Sequence, residues 1–156
     1  MTAAQFPINR DLALLGGGGH GRVLIATVEL LGGWFVAVND PKLAQGGGPA
    51  GVPVLGDDEL IAQCPADRVV LVNGVGSTGP ADTRAELFWR WRARGYRFAT
   101  IVHPSAVVAK SAALGEGAQA MAGAVIQNDA RIGTNCLINT RASVDHDCVL
   151  GDTVHL

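Results

Sequence analysis

At 156 residues, 48% of them hydrophobic, the chain is long enough for one ordinary domain or two small ones. A formal charge of −2 at pH 7 argues against a nucleic-acid partner, since neutralising phosphates needs a basic surface. No apolar run approaches a membrane span, and MTAAQFPINRDLALL lacks a basic region followed by a long apolar stretch, so a cytoplasmic protein with no membrane partner is expected.

The first hundred residues alternate strand and helix patterns. Leu12 to Leu15 reads as a short apolar strand running into Gly16-Gly17-Gly18-Gly19-His20-Gly21. An amphipathic helix follows from about Gly21 to Leu31 and is closed by Gly32. Trp34 to Val38 predicts a second strand, ended by Asn39-Asp40-Pro41. Leu43 to Gly51 reads as a Gly/Pro-rich loop and Val52 to Leu55 as a short strand. Asp57 is the expected cap of a helix to about Gln63, with Asp58 and Glu59 in its first turn, where the helix dipole favours acids. Arg68 to Val72 predicts a buried strand, Gly74 to Pro80 a loop, Asp82 to Arg94 a helix stopped by Gly95, and Phe98 to Val102 a last strand. This alternation predicts an α/β unit with a small parallel sheet.

From Val102 onward every sixth residue is aliphatic or Ala: Val102, Val108, Leu114, Ala120, Ile126, Ile132, Ile138, Val144, Leu150 and Leu156. Four positions after each of the first nine comes a small or compact residue, among them Ala106, Ala118, Ala130, Cys136, Ala142 and Cys148. A period of six fits neither a helix nor a simple alternating strand, but it fits a parallel β-helix. Gly115, Gly133 and Gly151 lie 18 residues apart, so three hexapeptides make one triangular coil and the array holds three coils. The boundary falls near Val102-His103-Pro104, giving a domain of residues 1–101 and a repeat domain of residues 102–156. Cys136 and Cys148 take the small inward position and read as buried thiols. Cys64 has no metal-spaced partner, and no Cys/His cluster suggests a metal.

Two places carry chemistry. Gly16, Gly18 and Gly21 satisfy G-x-G-x-x-G between a strand and a helix, where a bare backbone approaches a diphosphate at a helix N-terminus. Asp40, at the end of the next strand, is spaced to reach a ribose or base. A dinucleotide, a nucleotide-sugar and an unliganded turn all remain open on this loop alone. In Val144-Asp145-His146-Asp147-Cys148 the outer residues point inward, so His146 lies on the surface or at a corner between two carboxylates. An imidazole oriented by a carboxylate suits a general base near neutral pH. His155 comes half a coil later, His103 reads as shaping the domain junction, and Arg84, Arg90, Arg92, Arg94 and Arg97 read as a solvated helix face.

The stretches LLGGGGHG (14–21), IVHPSA (101–106), INTRAS (138–143) and VDHDCV (144–149) together resemble the bacterial sugar acetyltransferases of the left-handed β-helix superfamily, in particular those acting on nucleotide-linked amino sugars or sialic acid. The resemblance implies a Rossmann-like nucleotide-binding domain followed by a left-handed parallel β-helix. It implies transfer of acetyl from acetyl-CoA, as co-substrate and without a metal, to an amine or hydroxyl of a nucleotide-linked sugar, with a UDP-sugar expected. His146 is then the general base and Asp147 its support, while His155 lies beside the acetyl-CoA thioester or the sugar. Gly16, Gly18, Gly19, His20, Gly21 and Asp40 would hold the nucleotide, with Asn139 among the substrate-binding residues. A homotrimer with each active site between two prisms is implied as well. Arg141 departs from the family pattern, standing where Gly is more frequent. The array ends at Leu156, the first residue of a tenth hexapeptide, where relatives continue for several coils. Three coils rise only about 15 Å, so a truncated chain is expected. The alternatives are a nucleotide-sugar-binding module without catalysis and, less favoured, an NAD-dependent oxidoreductase.

Overall fold

A computed structural model describes residues 11–43, 46–76 and 83–156. The chain divides into two compact units that change over between Phe98 and Ala99.

In the first unit β1 (Asp11–Leu15), α1 (Gly19–Leu30), β2 (Phe35–Asn39), β3 (Gly46–Gly47), β4 (Pro53–Leu55), α2 (Asp57–Gln63), β5 (Val69–Asn73), α3 (Thr83–Ala93) and β6 (Arg97–Phe98) follow one another. The six strands form one sheet in the order β3-β4-β2-β1-β5-β6, parallel except for β3 against β4. β1 is central, and Ala13, Leu14 and Leu15 are fully buried because helices cover both sheet faces. On one side Phe88 and Trp91 of α3, both fully buried, pack with Leu60 and Tyr96 against Leu15 and Leu71. α1 buries Leu24, Ile25 and Val28.

Several details differ from the sequence reading. The segment read as a Gly/Pro loop contains β3 and a single 3-10 turn at Pro49–Gly51. The cap of α2 is Gly56, not Asp57: Glu59 at the third helical position reaches back 3.0 Å to accept the Gly56 N–H. The expected strand from Phe98 to Val102 is two strands of different sheets, because Phe98 pairs with Leu71 whereas Ile101 pairs with Gln119. Residues 77–82, within the expected loop and helix start, lie outside the described residues.

The second unit is a three-sided parallel β-helix. Its first face stacks β7 (Ile101–Val102), β10 (Gln119–Ala120) and β13 (Leu137–Ile138). Its second stacks β8 (Val107–Val108), β11 (Val125–Ile126) and β14 (Ser143–Val144), and its third β9 (Ala113–Leu114), β12 (Arg131–Ile132) and β15 (Val149–Leu150). Every partner lies 18 residues away, and Leu137 bridges on to His155 in the same register. The inward residues of the repeat form one apolar cluster, with Ala120, Ala124, Ala130 and Cys136 fully buried. Cys148 is exposed, against expectation, whereas Cys136 is buried as expected, with Val154 one coil above it.

The corners repeat as strictly as the strands. Gly117, Gly123, Asp129, Asn135, Arg141, Asp147 and Thr153, six residues apart, all have positive φ. The N–H groups of Asn135, Arg141, Asp147 and Thr153 bond to carbonyls of the coil below, at Glu116, Ala122, Asn128 and Thr134. Arg141, at φ 61°, thus keeps the same corner that Gly would make, at a local cost of about 1–2 kcal/mol.

Where a corner packs directly on its neighbour, only glycine fits. A Cβ on Gly133 would lie 2.6 Å from the Gly151 carbonyl carbon, whereas one on Gly151 meets nothing within 4 Å. Gly133→Ala should therefore destabilise the chain by about 1–3 kcal/mol, as measured by denaturant unfolding.

Candidate active site

Parallel sheets collect ligands at the carboxyl ends of their strands, where the order reverses. Here the reversal is at β1, flanked by β2 on one side and β5 on the other. A cleft of about 960 Å3 opens at this point, lined by Gly16, Gly18, Gly19 and His20 after β1, Asn39 to Lys42 after β2, and Gly74 to Gly76 after β5.

The glycines of the loop fall into two classes. Gly16 has φ +93°, and a Cβ there would lie 2.9 Å from Val75 Cγ2; on Gly17 it would lie 2.6 Å from Leu43 Cδ1. On Gly21 it would fall on the Gly16 carbonyl oxygen, where α1 crosses β1. Gly16 and Gly21 are demanded by the protein's own backbone, while at Gly17 the tip of Leu43 would have to move. Gly18 and Gly19 are exposed and a Cβ on either meets nothing within 4 Å. Gly18 also caps α1 without a side chain, leaving the first helical N–H groups facing the cleft.

Asp40 does more than the sequence reading gave it. Its Oδ2 accepts the Gly17 N–H at 2.8 Å and its Oδ1 accepts the Lys42 N–H at 2.9 Å, so it ties the glycine loop to the end of β2. Arg84 corrects the sequence reading outright, since it is 3% exposed rather than part of a solvated face. Its Nη1 donates to the carbonyls of Asn73 (3.1 Å) and Val75 (2.8 Å), while Asn73 Nδ2 donates to the Arg84 carbonyl at 2.9 Å. This grip shapes the third wall of the cleft, and a buried Arg inside an otherwise basic helix gives no sequence signal of it. Arg90 also lines the cleft and lies 3.5 Å from Asp57, a half-exposed pair of small energetic weight.

The second constellation sits on the prism corner between β14 and β15. Asp147 occupies the left-handed corner position, φ 59°, which turns its carboxylate back along the chain. Its Oδ2 lies 2.7 Å from His146 Nδ1. A carboxylate only accepts, so Nδ1 carries the proton and Nε2 the lone pair. That hydrogen bond, then the Asp147 charge and more weakly that of Asp145, raise the His146 pKa above its ordinary value; desolvation opposes them. Both side chains are well exposed.

Asn139 and His155 form a separate pair on the preceding corner, Asn139 Nδ2 lying 3.2 Å from His155 Nε2. The structure brings these two together, with β14 between Asn139 and the His146 corner. Among the thiols, burial and then the Asp11 charge hold Cys64 above its ordinary pKa, so it stays protonated.

A family model described as the PglD N-terminal domain matches residues 11–88. The acetyltransferase domain of PglB from Neisseria gonorrhoeae is 33% identical, with a TM-score of 0.82, over 94% of this chain and 70% of that one; it has also been solved with acetyl coenzyme A. PerB from Caulobacter crescentus, solved with CoA and GDP-perosamine, is 37% identical with a TM-score of 0.81, over 93% of this chain and 67% of that one. WeeI from Acinetobacter baumannii, at 23% identity and a TM-score of 0.81 over 94% of this chain and 68% of that one, shares the fold.

A histidine held by a carboxylate titrates late. The His146 ring, followed by NMR, should have its midpoint above 6.5, and Asp147→Asn should bring it down towards that value.

Proposed function

The chain belongs to the PglD N-terminal-domain family and to the left-handed β-helix sugar acetyltransferases, and from that premise we propose that it moves an acetyl group from acetyl-CoA to an amino group of a nucleotide-linked sugar. The observation that carries this reading is the His146–Asp147 pair, with Nδ1–H on the carboxylate and a lone pair on an exposed Nε2.

In this reading the sugar amine attacks the thioester carbonyl while His146 Nε2 takes its proton. Asp147 stabilises the resulting imidazolium, and a backbone N–H of the prism faces the oxyanion. Collapse breaks the C–S bond, and the imidazolium returns the proton to the departing thiolate. No covalent enzyme intermediate is required. An amine is chosen over a hydroxyl because a Caulobacter relative at 36% identity is named a perosamine N-acetyltransferase.

Residues 1–101 bind the nucleotide and residues 102–156 supply the transfer chemistry. Gly18 and Gly19 support this division, since a Cβ on either meets no described residue within 4 Å, whereas a diphosphate approaching the α1 N-terminus would meet it. The proposed ligand is a UDP-sugar. GDP-perosamine, bound by PerB, makes the guanine nucleotide the competing case, and separate titrations with UDP and GDP distinguish them. Asn139 and His155 belong to the same site, on the sugar and acyl side. A cytoplasmic homotrimer completes the proposal, supported by the exposed Val107 and Val149 on the outward sides of the second and third prism faces.

His146→Ala should lower turnover by about 10²- to 10⁴-fold and leave nucleotide binding unchanged; unaltered turnover would remove His146 from the role. Nucleotide binding with no acetyl-CoA-dependent turnover by the wild-type chain would instead identify a binding module, and preference for NAD would point to the oxidoreductase reading. Gly18→Ala should keep the fold yet weaken nucleotide binding about tenfold or more, whereas Gly21→Ala should unfold the loop region, as read by calorimetric titration beside circular dichroism.

A further inference from the structure

The wall that α3 gives to the cleft differs chemically from the glycine loop, and we propose that Glu86 and Arg90 there read the nucleobase, selecting one with a carbonyl oxygen beside a ring N–H. The two residues are four apart on α3, so their side chains leave the same face of the helix. Both are exposed and both line the cleft, with the half-buried Leu87 and Val75 lining it as well. The wall therefore sets a carboxylate that only accepts and a guanidinium that only donates among apolar side chains. A diphosphate is poorly served there, because the carboxylates of Glu86 and Asp57 repel it. The bare N–H groups at the start of α1 suit it instead. A flat heterocycle matches the wall, since its faces are apolar and its edge carries donors and acceptors in fixed order.

Arg90 can turn to such a ligand at little cost. Its pair with Asp57, at 3.5 Å, is half-exposed and hence weak. Asp57 also lies 3.6 Å from Arg94, so it keeps a cationic partner when Arg90 leaves it. Polarity then decides which bases fit. Uracil offers O4 beside N3–H and guanine offers O6 beside N1–H, so Arg90 meets the oxygen and Glu86 the N–H. Cytosine and adenine carry an amino group in place of that oxygen and a lone pair in place of that proton. With the pose held by the diphosphate, both contacts turn repulsive: amino group against guanidinium, and lone pair against carboxylate. The pair thus admits uracil or guanine and rejects cytosine and adenine. This selection rests on the nucleotide-sugar reading of the cleft.

The test is calorimetric titration of the full chain with nucleotides matched in ring size, UDP beside CDP and GDP beside ADP. In whichever pair binds, the keto member should bind about tenfold or more tightly than its amino counterpart. Arg90→Ala and Glu86→Ala should each bring the keto nucleotide down towards the amino one and leave inorganic pyrophosphate binding unchanged. Glu86→Gln, whose amide both donates and accepts, should narrow the gap by admitting the amino base. Arg94→Ala, which removes the other cation on Asp57, should leave the preference as it is. Equal affinity within a pair, no binding by any of the four, or a preference that survives both alanine substitutions overturns the proposal. So does an equal loss in Arg94→Ala, the mark of a structural role, or a fall in pyrophosphate binding in Arg90→Ala, the mark of a phosphate contact. The expected preference without acetyl transfer would keep the base selection and remove the transferase reading, and turnover of a nucleotide-sugar with no preference would do the reverse.

Discussion

The parallel ladder between residues 18 apart is the constraint on which the prism depends. Three faces and three corners repeat that register, from Ile101 on Gln119 to His155 on Leu137. The strands have only two residues each, too short to be stable alone. Backbone bonding between coils and an interior of small and aliphatic side chains hold them together. A slip by one residue would turn Val144 outward and bring Ser143 in, so the hexapeptide pattern enforces the register at every coil. The His146–Asp147 geometry follows from this. Asp147 adopts positive φ because it is the third residue of a corner, and its N–H is tied to Asn128 in the coil beneath.

The α/β unit solves its problem differently. Its central strand β1 has no exposed side and must leave the sheet abruptly at Leu15. Gly16 makes that turn, Gly21 lets α1 cross close behind it, and Asp40 pins the loop from the neighbouring strand. Two glycines are then left over, facing the cleft. The loop thus combines glycines required by close packing with two on which a Cβ would meet no described atom within 4 Å.

Much of this was legible in the residues because it repeats or because one residue type has few uses. The period of six and the glycines at 18 specified the three-sided coil, and the glycine loop between an apolar strand and a helix specified the α/β unit. Asp147 beside His146 was legible because adjacent acid and imidazole on an outward turn have few other arrangements. What was not legible depended on contacts across the fold. Arg84 looked like its four arginine neighbours in sequence, yet it alone is buried, against carbonyls eleven and nine residues away in the chain. Phe98 to Val102 is continuous in pattern but changes sheet between Phe98 and Ile101. The contact between Asn139 and His155 joins residues sixteen apart and leaves no local signature.

The corners also bear on how such a protein changes over time. The corners share one backbone geometry, and four of them, at Asn135, Arg141, Asp147 and Thr153, are tied to a carbonyl of the coil below, while Gly123 and Asp129 are tied to the hydroxyls of Ser105 and Ser111. Arg141 and Thr153 show that residues with no intrinsic preference for positive φ are accepted there. The corner positions therefore act as equivalent sockets, spaced along the prism axis by one strand separation of about 4.8 Å. Asn128-Asp129 occupies the socket directly beneath His146-Asp147. A pair of side chains can therefore be moved along the axis of this scaffold in steps of one coil while the backbone that presents it stays as it is.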